Sequence, residues 1–297
     1  MATFAIAARL AEELTPTPRS YSSEVLRRFR ADPTGLIALA ALCTIILAAV
    51  AAPLLTSYDP LVGDVAARLR GIGTPDHLLG TDEQGRDIWT RLLFGGRLSL
   101  LTGIVPVLGA TVLGTTIGAI AGFRGGKVGT LLMRVMDMCY AFPSILLAIA
   151  LVASLGPGVV NSIIALTIVY IPPISRVAES ATRQIVVQEY VEAARISGAN
   201  PLQIVVYQLL PNIFSPIFVY ASGLVGLAIV AGSGLSYLGL GAAPPAPEWG
   251  AMLSSLQGSI YQQPWVVALP GVFIFLTSVA SNVLSNSLRD ALDVKAS

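Results

Sequence analysis

The sequence predicts an all-α, polytopic membrane protein with six transmembrane helices, and three observations carry that prediction. Mean hydropathy is +0.74 and charged residues make up only 12% of the 297-residue chain. The apolar residues gather into six runs of about twenty residues, the length at which an α-helix crosses about 30 Å of hydrocarbon. Most Lys and Arg fall in segments that alternate to one side, the bias that marks the inner side of a membrane, with five arginines of the long first loop as the exception. Closed helices satisfy every backbone donor and acceptor within one segment, which a bilayer interior demands.

The elements follow in order. Residues 1–35 carry Arg9, Arg19, Arg27, Arg28 and Arg30 and are expected to be a cytoplasmic N-terminal segment. Residues 36–55, LIALAALCTIILAAVAAPLL, form the first transmembrane helix. The lead before it is too long, and the apolar stretch too extended, for a typical cleaved signal peptide, so a retained anchor is expected. Residues 56–97 are expected to be an extracytoplasmic loop, with Asp59, Asp64, Asp76, Asp82, Glu83 and Asp87 beside Arg68, Arg70, Arg86, Arg91 and Arg97. Gly80-Thr81-Asp82 and Gly85-Arg86-Asp87 supply turn and capping chemistry, so shaping that loop is preferred over binding a substrate. His77, the one histidine, is expected to be a surface or hydrogen-bonding residue.

Residues 98–288 hold the other five runs, near Ser99–Gly122, Leu131–Leu155, Val159–Val177, Ile213–Leu238 and Trp265–Leu288, and 289–297 form a tail. Six crossings put both ends on one side. A cytoplasmic N-terminus places Arg124, Lys127, Arg134, Arg176, Arg183, Arg195, Arg289 and Lys295 inside, whereas the outer connections near Pro157 and Pro245 have no Lys or Arg. Cys43 and Cys139 fall within runs, where a small soft side chain packs readily and implies neither disulfide nor metal. Trp249 and Trp265 are expected to be interfacial anchors.

Between the third and fourth of these later runs lies a polar interruption, 187–212, long enough to need a partner outside the lipid. Glu189, Glu192, Ala193, Ala194 and Arg195 are helix formers, with Glu192 and Arg195 three apart on one face. Gly198 offers a left-handed stop. Asn200-Pro201 reads as an N-cap and first helical position, so a second helix starts at once and runs until Pro211 breaks it. A short helix, a sharp turn and a second helix form a docking surface; the competing reading is an amphipathic hairpin resting on headgroups.

Asp137 is the ionisable residue of most interest near a span. Arg134, three residues earlier, is its expected partner, and pairing is preferred over a place on a solute pathway. Pro143 is expected to kink the same run. Gly125-Gly126-Lys127 fails as a phosphate loop, because Val128 stands where Ser or Thr is required and Ala121 where the first glycine is required. No Ser/His/Asp set, zinc spacing or nucleophile elbow is present, so an intrinsic hydrolase is not expected.

Glu192, Ala193 and Ala194, then Gly198, Leu210 and Pro211, resemble the EAA signature of ABC importer permeases, with Gln208 where the general pattern has Ile. HLLGTDEQGRDIWTRLLFGGRLSL at His77–Leu100 is similar to the entry to the second span in C-type permeases of dipeptide, oligopeptide and nickel importers. MRVMDMCYAFPSILLAIAL at Met133–Leu151, SYLGLG at Ser236–Gly241, EWGAML at Glu248–Leu253 and LRDALDVK at Leu288–Lys295 extend the likeness. The resemblance implies the type I importer permease fold, in a prokaryotic plasma membrane with both termini cytoplasmic. It implies that residues 187–212 hold the coupling helix that sits in an ATPase cleft, with Glu192, Ala193, Ala194, Gly198, Leu210 and Pro211 in that role. The implied partners are a homologous B-type permease, two cytoplasmic ABC ATPases that carry ATP and Mg, and an extracytoplasmic solute-binding protein. The implied task is di- or oligopeptide uptake, with no cofactor or catalytic residue in this chain; nickel or another small solute is the alternative. A secondary carrier is the distant alternative, disfavoured because neither inverted repeats nor paired buried charges are evident.

Overall fold

The computed structural model of the chain describes residues 21–292, so Arg9, Arg19, Lys295 and the last part of the tail lie outside the described residues. In chain order the helices are α1 (Tyr21–Ala31), α2 (Pro33–Val50), α3 (Ala52–Leu55), α4 (Ile88–Arg124), α5 (Gly126–Tyr140) and α6 (Ser144–Leu155). They continue with α7 (Val159–Val186), α8 (Glu189–Ile196), α9 (Pro201–Gln203), α10 (Leu210–Tyr237), α11 (Trp249–Leu256) and α12 (Pro264–Leu292). Among the described residues five stretches are long and apolar enough to cross a membrane: α2, α4, α7, the Pro201–Tyr237 stretch that ends in α10, and α12.

The remaining span departs from the sequence reading. Residues 131–155 do not form one kinked helix: α5 and α6 meet at 88°, a break rather than a bend. Pro143 has no N–H to donate and pushes Phe142 out of helical geometry, so the chain stops at Tyr140 and restarts at Ser144. The six crossings stand when this broken pair counts as one.

The helix that holds the second apolar run starts before the run itself. Helix α4 begins at Ile88, and its 37 residues extend about 55 Å, well beyond the hydrocarbon thickness. Its first turns, with Arg91 and Arg97, project into the polar layer formed by residues 56–87. There the Arg97 guanidinium receives the end of α2, donating to the Ala49 carbonyl at 2.7 Å and the Val50 carbonyl at 2.9 Å. A cation at a helix C-terminus satisfies carbonyls that the helix itself leaves open.

Small residues set the helix spacing. Gly114, Gly118 and Gly122 recur every fourth residue on the face of α4 that meets α7; a methyl group would lie 2.6 Å from the Ala178 Cβ at Gly118 and 2.8 Å from the Thr182 Cβ at Gly122. Lipid gives apolar helices no hydrophobic reason to associate, so close backbone approach and dispersion hold such pairs. The main core then runs through Val107, Ala110, Leu166, Ile174, Ile217 and Leu235.

A second core lies at the loop end around Ile88, Leu92, Trp249, Met252 and Leu256. Trp249 is 1% exposed, so it is a core residue and not an interfacial anchor. Its indole N–H donates to the Leu92 carbonyl at 2.9 Å, and its ring covers Gly96, whose lack of a side chain makes the seat. Hydrophobic burial plus a satisfied N–H outweighs the preference of an indole for the headgroup layer. Trp265, by contrast, is 76% exposed, where an anchor belongs.

Contacts sort the connections onto two ends. Ser259 reaches Glu83 and Gln263 reaches the Leu69 carbonyl, and the Gly158 N–H donates to Leu240, so these loops share one end. At the other end Asp32 meets Ser287 and Arg195 meets Phe123. The helical hairpin and both described chain ends therefore lie together.

Candidate functional site

The hairpin is built from local rules that its sequence states openly. Helix α8 has Glu189 and Glu192 in its first turn and Arg195 in its last, in favour of the helix dipole. It closes with two bonds, Ala199 N–H to the Ala194 carbonyl and Gly198 N–H to the Arg195 carbonyl, both 3.1 Å. That pair defines a Schellman end, and Gly198 supplies its left-handed residue at φ +84°. Asn200 then caps α9: its side chain accepts from Gln203 N–H at 2.8 Å while Gln203 accepts from Asn200 N–H at 2.9 Å, with Pro201 in the first turn.

Pro211 does not end this second helix, contrary to the sequence reading. A π-helical segment, Ile204–Leu209, carries α9 into α10, with the Leu210 N–H bonded to the Val205 carbonyl. The wider turn lets α10 start afresh at Leu210, so Pro211 falls in a first turn, where its missing N–H has no helical partner to lose. Pro201–Tyr237 is thus one 37-residue stretch, about 55 Å long, with the hairpin at one tip.

One face of the hairpin is fixed. Val191, Ile204 and Leu209 are buried and pack with Phe123 and Ile185 at the ends of α4 and α7. The Arg195 guanidinium lies 5.6 Å from the centre of the Phe123 ring, so it turns towards the bundle. The opposite face is open: Glu192, Ala193 and Gly198 are exposed and Ala194 is half-buried, while Leu210 and Pro211, also exposed, stand apart at the start of α10, where Leu210 lines a cavity between α4 and α10. Ile196, Leu202 and Tyr207 are each more than 70% exposed beside them. An apolar rim with an acidic residue, carried on a firmly seated plate, suits a protein partner better than water.

Asp137 lies elsewhere and has a different partner from the one expected. It pairs with Arg176 of α7 and not with Arg134, because packing of α5 on α7 brings a cation across that the local spacing did not reveal.

The polar loop behaves as its turn chemistry foretold. Asp87 caps α4, its Oδ2 accepting from Thr90 N–H at 2.8 Å and from the Thr90 hydroxyl at 2.7 Å. Asp82 takes the Arg86 guanidinium at 2.6 Å and two backbone N–H groups, from Gln84 and Arg86. His77 is a hydrogen-bonding residue, as expected, yet buried: its Nδ1 lies 3.0 Å from Asp87 Oδ1.

Sequence reasoning passed over Glu248, which is fully buried at the junction of α4, α10 and α11. It caps α11 through Ala251 N–H at 2.9 Å and accepts the Ser99 hydroxyl at 2.8 Å. An acid directly after a proline-rich stretch and before Trp-Gly-Ala was the available signal, since carboxylates serve helix N-caps.

Comparison with known proteins agrees with this architecture. Residues 114–297 match the family of binding-protein-dependent transport system inner membrane components, and residues 20–71 match the N-terminal TM domain of oligopeptide transport permease C. The chain is 41% identical over 272 residues to the dipeptide transport system permease protein DppC of Alkalihalophilus pseudofirmus, covering 92% of this chain and 89% of that one. It is 40% identical over 278 residues to the di/tripeptide transport system permease protein DppC of Pseudomonas aeruginosa, covering 92% and 91%. With the glutathione transport system permease protein GsiD of Pectobacterium atrosepticum it shares 44% identity over 219 residues, 74% of this chain and 73% of that one. Among solved structures, an inward-facing MetNI methionine ABC transporter chain superposes with a TM-score of 0.52 at 20% identity, covering 67% of this chain and 96% of that one, which shows the shared fold.

Proposed function

This chain belongs to the binding-protein-dependent transport system inner membrane components, as a C-type permease of ABC peptide importers, and from that membership we propose that it forms half of a membrane path for di- and oligopeptides. The other half is a homologous B-type permease. Two ABC ATPases, which bind ATP and Mg, sit against the hairpin on the cytoplasmic side of a prokaryotic inner membrane, and a solute-binding protein delivers peptide at the opposite end. Both termini are cytoplasmic, as the arginine bias supports.

The observation that carries the reading is the continuity of the hairpin with the fifth span. Glu192, Ala193, Ala194 and Gly198 form the face presented to the ATPases, with Leu210 and Pro211 at the root of the lever. The buried face of Val191, Ile204 and Leu209 transmits force to the ends of α4 and α7. When ATP draws the ATPases together, the hairpin is displaced and α10 tilts with it, which exchanges outward for inward access. The permease contributes geometry; the free energy comes from hydrolysis on another chain.

Reconstitution tests this. The four-subunit complex in vesicles, supplied with binding protein, is expected to accumulate labelled dipeptide only with ATP in the ATPase compartment. Accumulation driven by an ion gradient without ATP would overturn the coupling; accumulation of nickel and not dipeptide would overturn the substrate.

A further inference from the structure

The break between α5 and α6 opens a cavity of about 400 Å³, walled by α5, α6, α7 and α10. Its volume falls in the range of about 300–1,000 Å³ typical of small-molecule sites. Three tyrosines line it, Tyr140 from α5, Tyr170 from α7 and Tyr220 from α10. Among the described residues none of their hydroxyls has a hydrogen-bond partner, although the Tyr170 ring is buried; nor are the hydroxyls sealed in, since the closed-off side-chain polar atoms are those of Thr115 and Thr182. With Tyr170 buried, Tyr220 half-buried and Tyr140 exposed, the three phenols are donors and acceptors open to a polar occupant.

The Asp137–Arg176 pair stands at the hairpin end of this cavity. Asp137 precedes Tyr140 by one helical turn and Arg176 follows the lining residue Pro173 by one turn. Arg176 lies ten residues before the end of α7 at Val186, about 15 Å into the helix. Half of the guanidinium side chain and about a third of the carboxylate side chain are nonetheless exposed, 50% and 37%. Helix α7, at 28 residues, is about 42 Å long and overshoots the hydrocarbon, so the pair stands at its inner boundary, where charges face water or one another and not lipid. The cavity between α4 and α10, lined by Val107, Phe214 and Phe218, has no tyrosine in its wall and gives the contrast.

We infer that the tyrosine-lined cavity is the stretch of the translocation path where this chain holds its peptide, and that Asp137 and Arg176 are the gate at its inner end. The inference rests on the peptide-uptake reading above. A peptide with free termini carries the same two charges as the gate: its ammonium replaces Arg176 beside Asp137, and its carboxylate takes the Arg176 guanidinium, a planar fork suited to it. A dipeptide reaches at most about 7 Å, at about 3.3–3.6 Å per residue, so both termini can engage a separated pair. Peptide N–H and C=O groups meanwhile meet the phenols. Tyr220 sits on the same helix as the hairpin, so a displaced hairpin changes the cavity wall directly.

Cys139 lines the same cavity and serves as the reporter. The assembled complex with Cys43→Ser, in vesicles, is treated with a small water-soluble thiol reagent, with and without alanyl-alanine at millimolar concentration. Free dipeptide is expected to slow modification of Cys139 at least threefold, and N-acetyl-alanyl-alanine amide is not. Asp137→Asn and Arg176→Gln, at normal complex yield, are expected to remove the protection and to cut dipeptide uptake at least tenfold. Tyr220→Phe, which keeps the ring, is expected to weaken protection about threefold to tenfold. Equal rates with and without dipeptide, in vesicles that do take it up, would overturn the inference alone, as would protection by the capped dipeptide or protection that survives both charge variants. Vesicles that take up no dipeptide at all would instead overturn the reading on which it rests.

Discussion

Replacing Gly198 separates two ways in which the hairpin can fail. Gly198 holds φ +84°, a conformation that costs a residue with a side chain about 1–2 kcal/mol. A Cβ there meets no atom of this chain within 4 Å, so steric conflict adds nothing inside the permease itself. Against this strain stands the buried side of the hairpin, where Val191, Ile204 and Leu209 each contribute about 1.5–3 kcal/mol by burial. Their sum of about 5–9 kcal/mol exceeds the strain, so Gly198→Ala leaves the hairpin seated and only loosened. Gly198→Asp adds bulk and charge to the outward face, where an ATPase is proposed to close around it. Peptide-stimulated ATP turnover in vesicles is therefore expected to fall below a tenth of wild type in Gly198→Asp, and by less in Gly198→Ala, with the chain still in the membrane. Wild-type stimulation in the Gly198→Asp complex would refute the idea that this hairpin couples hydrolysis to transport.

Other outcomes follow from the same structure. Glu192→Lys reverses a charge on the outward face, so ATPase copurification should weaken, and more so at low salt than at high salt. In a background lacking Cys43 and Cys139, a cysteine at Val62 should react with an impermeant reagent added outside while one at Ser197 resists it; the opposite pattern would invert the topology. Trp249→Ala removes a fully buried indole and its hydrogen bond, a loss of about 3–5 kcal/mol that should lower the thermal midpoint in detergent, whereas Trp265→Ala should leave it nearly unchanged.

Much of this molecule was legible along the chain because a bilayer makes local rules decisive. Runs of about twenty apolar residues must become helices when no water can serve the backbone, and so the number of crossings followed from hydropathy. The hairpin was legible for the same kind of reason. A glycine stop at Gly198 and a cap at Asn200-Pro201 act over three or four residues, and the residues that act are neighbours in sequence. The cap at Asp87 belongs with them.

What the tertiary structure alone decided concerns residues far apart in sequence. Asp137 found Arg176 across two helices, Trp249 found its seat on Gly96, and Glu248 found Ser99, 149 positions away. Local spacing offered Arg134 and a headgroup layer instead, because a sequence window lists neighbours along one helix and not across a packed interface. The break at Pro143 and the passage through Pro211 show the same limit from the backbone side. Proline lacks an N–H wherever it occurs, but whether the chain breaks by 88° or passes through a π turn depends on which surrounding helices hold the two ends.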